Sequence, residues 1–173
     1  NIFVDNSFSF PIDKEVVMKA CLLLTDLPHT YKVANFTKEN LERIQENWSN
    51  IKNSLHQALT LANRFGIDKK TLLSANALLP IAYYLSKNKG LLFNSTDQKS
   101  QKIALSIRQW ILVTLLNSTF GSTTDRVIGI ARDIIKENNT KSDYFPLNEL
   151  FIGLRKYGTF TNPDDLIKDI FET

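Results

Sequence analysis

The stretch that most limits what this chain can fold into is residues 106–135, SIRQWILVTLLNSTFGSTTDRVIGIARDII, two apolar periodic segments separated by a small polar turn. In the first, Ile103, Ile107, Trp110, Ile111 and Leu115 recur at spacings of three and four, the period of an α-helix, and nothing from residue 101 to 116 breaks one. Between Trp110 and Leu116 only Thr114 is polar, which predicts a helix covered on most sides. The second segment puts Val127, Ile128, Ala131, Ile134 and Ile135 on one face and leaves Arg126, Arg132, Asp133, Lys136 and Glu137 mostly off it. Together they predict a buried helical hairpin. Its turn, residues 117–125, is rich in Ser, Thr and Gly, which supply capping oxygens and permissive backbone angles, so it is the first place to look for a site.

A longer periodic signal lies upstream. Thr37 is an N-cap candidate with Glu39 in the first turn, and Leu41, Ile44, Trp48, Ile51, Leu55, Ala58 (or Leu59), Ala62 and Phe65 follow at helical spacing up to a C-capping Gly66. One helix of about 28 residues would be about 42 Å long. Its stripe can pack within the chain or meet another chain as a coiled coil.

Shorter helices surround these two features. Residues 12–25 read as a helix capped by Asp13, with Cys21 a small core residue, closed by the residues before Pro28. Residues 72–85 begin a helix near Asn76, with Pro80 in or near its first turn, and at least one of the adjacent hydroxyls of Tyr83 and Tyr84 needs a polar partner or water. Asp97 starts the opening helix of the hairpin. Pro146 fits the first position of a helix running to about Tyr157 and ended by Gly158, and residues 162–165, Asn-Pro-Asp-Asp, are a further helix start. Residues 1–11 read as an extended lead-in. The expected fold is all-α: about seven helices packed as an irregular bundle around a long helix and a buried helical hairpin, forming a single domain over residues 1–173.

At 173 residues such a chain can bury roughly two-thirds of its unfolded surface. A single cysteine excludes an internal disulfide framework and a cysteine-based zinc site, and fits a reducing, cytoplasmic setting. There is no run of about twenty apolar residues to span a membrane, and the charged, short apolar start does not read as a signal peptide. The start at Asn1 and the end just after a helical segment suggest a domain excised from a larger multidomain protein. Several Asn-X-Ser/Thr triplets occur, as chance provides in an asparagine-rich chain.

The net charge of +3 conceals an asymmetry. Residues 51–110 hold nine Lys/Arg against two Asp/Glu, whereas residues 1–50 hold five against seven and residues 111–173 seven against nine. Lys69, Lys70, Lys87, Lys89, Lys99, Lys102 and Arg108 make most of the excess, which either attracts phosphates or an acidic partner or simply solvates two helix ends.

No catalytic constellation is present in the sequence. His29 and His56 are the only histidines, neither at metal-ligand spacing from another His, Cys or acid, and there is no phosphate loop, nucleophile elbow or zinc pattern. No catalytic residue, metal or cofactor is therefore expected. The one local feature with a mechanism is Gly121-Ser122-Thr123-Thr124-Asp125. Free N–H groups of a helix start, with Ser122 and Thr123 hydroxyls, make an anion site on which Arg126, Arg108 or Arg132 can close. The same residues are what any helix needs to begin, and Asp125 opposes a phosphate. For DNA or another anion the candidate residues are thus Ser122, Thr123, Arg126, Arg108, Arg132, Lys87, Lys89, Lys99 and Lys102.

Five phrases in order, ENWSNIK, FGI, LLSANALLPIAYYLSKNKG, IRQWILVTLLNSTFGSTTDRVIGIARDIIK and FPLNEL, resemble the helical middle region of GmrSD-type proteins. These carry domain-of-unknown-function family 262 and act in prokaryotic modification-dependent restriction and phage defence. The resemblance covers residues 12–157. It implies a nucleotide-handling module with an Asp-Gly-Gln-Gln-Arg-like motif before this region and an HNH-type nuclease after it. Neither motif occurs here, so the resemblance implies no catalytic residue in this chain. What it implies is a connector and scaffold whose partners are those flanking modules and which senses or grips DNA. The alternatives are a stand-alone nucleic-acid-binding module using the basic middle segment, and a helical protein-interaction or dimerisation domain using the long helix.

Overall fold

A computed structural model describes residues 12–28, 30–91, 93, 97–121, 123–139 and 144–157, and these are all-helical. Seven α-helices follow in order: α1 (Lys14–Leu24), α2 (Lys38–Glu46), α3 (Trp48–Arg64), α4 (Leu79–Lys87), α5 (Gln98–Leu116), α6 (Thr124–Asn138) and α7 (Leu147–Lys156). Short 3-10 turns precede α2 at Val33–Asn35 and α4 at Ala75–Leu78. The expected lead-in at residues 1–11, His29, Ser122, Gly158 and the helix start at residues 162–165 lie outside the described residues.

Local chemistry sets the helix ends. The Asp13 carboxylate accepts from Val16 N–H at 2.8 Å, the Thr37 hydroxyl from Asn40 N–H at 3.3 Å, and the Asp97 carboxylate from Ser100 N–H at 2.9 Å, each satisfying a donor the first turn leaves open. Three helices close the same way at their other end. After α3, Gly66 takes φ +79°, its N–H donates to Asn63 O, and Ile67 N–H donates to Ala62 O, both at 3.0 Å. Asp26 after α1 (φ 56°) and Ser118 after α5 (φ 50°) make the same pair of bonds from left-handed backbone that favours glycine.

The core centres on α4. Every residue from Leu79 to Ser86 is buried, because α3, α1 and α6 all pack against this one short helix. Pro80 falls in its first turn, where the missing N–H costs no helical bond. Trp110 of α5 is fully buried; its Nε1 donates to Ala77 O at 3.0 Å, its ring stacks on Phe151 of α7, and it meets Phe120 and Phe145 edge-on. The Tyr84 ring meets Phe145 edge-on as well, at 5.2 Å.

Three features differ from the pattern read in the sequence. The single helix of about 28 residues is two, of 9 and 17 residues, bent at Asn47. Asn47 Nδ2 donates to Arg43 O at 2.9 Å, the competition between side chain and backbone that makes asparagine a poor interior helix residue. Upstream of the bend the stripe lapses: only Ile44 of α2 is buried, and Leu41 is 49% exposed. The stripe of α3, from Ile51 to Ala62, is buried within the chain. The hairpin helices α5 and α6 form where expected, yet α6 packs chiefly on α7 and α4, and α5 on α3, α7 and the turn before α4. Pro146 stands one position before α7 rather than at its first residue.

Candidate functional site

The turn between α5 and α6 is built from inside outward. Asn117 Nδ2 donates back to Val113 O, Ser118 reverses the chain, and Thr119 and Phe120 turn inward, Phe120 against Trp110. The chain re-emerges at Gly121 and starts α6 at Thr124. Thr123 occupies the capping position without a side-chain capping bond. The Thr124 hydroxyl donates to Gly121 O at 2.7 Å, so it serves the turn.

The charge at this helix start is internal. The Asp125 carboxylate in the first turn of α6 lies 2.9 Å from the buried Lys19 ammonium of α1, which also meets Glu15 at 2.7 Å. The second Asp125 oxygen accepts from Tyr31 N–H at 3.4 Å. A carboxylate at the positive end of a helix dipole is favourable, and here it holds α1 to α6. For Lys19, burial alone would lower the pKa; the hydrogen bonds and charges of Glu15 and Asp125 outweigh it and raise the pKa above the ordinary value.

The cations proposed to close on the turn go to different places. The Arg126 guanidinium sits 5.1 Å from the ring centre of Tyr157, which caps the end of α7. Arg132 turns away, bonding Asp133 at 2.9 Å and donating to Leu27 O at 3.3 Å, where it ties α6 to the end of α1. Arg108 is exposed eight residues before the end of α5, about 12 Å along the axis. Lys99 and Lys102 are exposed near the start of α5, and Arg108 is about 120° around the helix from Lys102. Lys89 is exposed in the loop after α4, beside Asn50, Asn53 and Gln57 of α3. The turn therefore gathers Thr123 and Arg126 with Lys19 and Asp125.

Lys87 belongs to a cluster that sequence reasoning missed. Its ammonium lies 2.6 Å from Asp26 Oδ2 and 5.0 Å from the Tyr83 ring centre, and the Tyr83 hydroxyl donates to Asp26 Oδ1 at 2.6 Å. Burial opposes ionisation of Asp26, but the bonds from Lys87 and Tyr83 prevail and hold its carboxyl below the usual range. The same burial and bond push the Tyr83 hydroxyl well up. Asp26 lies 57 positions from Tyr83 and 61 from Lys87, so no local spacing announces the group. The Glu15–Lys19 half of the other cluster was visible as an i, i+4 pair; its Asp125 partner was not.

Cys21 is buried in α1, and that burial pushes its thiol up to about 11, which leaves it protonated at neutral pH. Among the described residues no group of three or more His, Cys, Asp or Glu is placed to hold a metal ion, and no helix is long and apolar enough to cross a membrane. No protein-family model matches the sequence, and no curated protein matches it.

Proposed function

We propose that this chain is a non-catalytic helical scaffold, similar to the middle region of GmrSD-like restriction proteins, which positions nucleotide-handling and nuclease modules in the cytoplasm. One observation carries the reading. The partly buried charged groups within or beside the resembling phrases join helices to one another: Lys87 of α4 with Asp26 after α1, Lys19 of α1 with Asp125 of α6, and Arg132 of α6 with the carbonyl of Leu27. The phrases themselves hold the centre of the core, Leu79 to Ser86 and Trp110, which supports a packing role for them. The test is to incubate the purified chain with nucleoside triphosphates and with modified and unmodified DNA. Neither is consumed on this reading; turnover that a point substitution within the chain abolishes contradicts it.

A second reading, a nucleic-acid-binding module using the basic middle segment, is favoured by the exposure of Lys89, Lys99 and Lys102. Duplex binding that falls steeply with salt and weakens when these lysines become Glu is its signature.

A further inference from the structure

The solvent face of α3 combines positive charge with carboxamides. Its apolar residues enter the core, and the opposite side presents Lys52, Asn53, His56, Gln57, Thr60 and Asn63. At 100° per residue these six fall in one sector about 140° wide. No acidic residue occurs from Asn47 to Ile67, so the face is basic and rich in carboxamides. The loop after α4 runs alongside it. Lys89 and Gly90 line a groove with Asn50, Asn53 and Gln57, which Glu46 at the end of α2 also lines, and further along Leu91 and Phe93 line another with Gln57 and Thr60, where Arg64 donates to Phe93 O at 2.7 Å.

We propose that this face of α3 binds duplex DNA, lying in the major groove with Asn53 and Gln57 at base edges and Lys52 and Lys89 at phosphates. A carboxamide offers a donor and an acceptor in one plane, the pair that matches the N6 and N7 edge of adenine. A helix about 10–12 Å across fits a groove about 12 Å wide. Residues 52 to 63 span about 17 Å, close to five base pairs at about 3.4 Å each. α3 itself brings no carboxylate to oppose phosphates; the acid that lines the groove is Glu46, the last residue of α2, against Lys52 and Lys89. An anionic membrane would be met better by lysines with exposed apolar residues than by a row of amides. The inference rests on the second functional reading for its ligand and moves the contact from the lysines of α5 to α3.

The test is fluorescence anisotropy with a labelled A·T-rich duplex, about 20 base pairs long, at about 50 mM salt and above. The variants are Lys52→Glu, the pair Asn53→Ala with Gln57→Ala, and the pair Lys99→Glu with Lys102→Glu. All five positions are exposed, so the fold tolerates the changes, which circular dichroism and melting verify. The wild-type chain is expected to bind, with affinity falling as salt rises; each α3 variant binds about tenfold weaker or worse, and the α5 pair changes affinity less than about threefold. Unchanged binding in the α3 variants overturns the proposal. If the loss appears only in the α5 pair, the basic-segment reading stands without it. No binding at low salt overturns both.

Discussion

Trp110 shows how much a single side chain decides here. Its indole is in contact with aromatic rings from the α5–α6 turn, α7 and the segment before it, and its N–H is satisfied by Ala77 O. Removing it leaves a cavity bounded by several elements, so Trp110→Ala is expected to destabilise the chain by about 3–5 kcal/mol in urea unfolding, and a loss below about 1 kcal/mol would show that the ring is not core. This role was legible in the sequence, because Trp110 lies in an apolar run at helical spacing. Asp26 was not. It occupies left-handed backbone without being glycine, and the bonds that its carboxylate accepts come from residues far along the chain. Its folded pKa is depressed, so the stability it contributes is present above the ordinary carboxylate value of about 3.9 and is lost as pH falls through the lower folded value. The urea midpoint of the native chain is therefore expected to drop on acidification below about pH 4 more than that of Asp26→Asn. Equal drops would place the acid sensitivity elsewhere.

At the scale of elements, sequence and structure agree at most of the local determinants, Pro146 being off by one position and Thr123 making no capping bond. The caps Asp13, Thr37 and Asp97 and the closing Gly66 stand where their residue types put them. Agreement fails where tertiary packing decides. The stripe from Leu41 to Phe65 has unbroken helical spacing, but α2 has only Ile44 to bury, and Asn47 offers its own side chain to the backbone. The hub escaped notice for the opposite reason: α4 is buried on every side, so it has no polar face to make a periodic pattern. Helix ends give a direct check. Ser118 closes α5 at φ 50°, a conformation that glycine adopts without strain, and its side chain is exposed. Ser118→Gly is expected to stabilise the chain by about 0.5–1 kcal/mol, seen as a higher urea midpoint with unchanged slope. A lower midpoint would mean that the hydroxyl contributes more than the strain costs.

At the scale of the molecule, the turn first singled out as a site is a junction. Asp125, which reads in sequence as an obstacle to anion binding, is itself the anion at the start of α6, and Lys19 is its cation. Asp26 with Lys87, and Arg132 with Leu27 O, fasten the end of α1 to α4 and α6. Two helices distant in sequence, α1 and α6, are thus fastened to each other and, through Asp26, to α4. The amide-rich face of α3, proposed above as a DNA-binding surface, carries none of these fasteners. The most direct measurement of this account is a double-mutant cycle of Lys19→Met and Asp125→Asn in urea unfolding. Charged groups that act as internal fasteners give a coupling energy of about 1 kcal/mol or more, while additivity within about 0.3 kcal/mol would contradict the claim that the α6 helix start is structural.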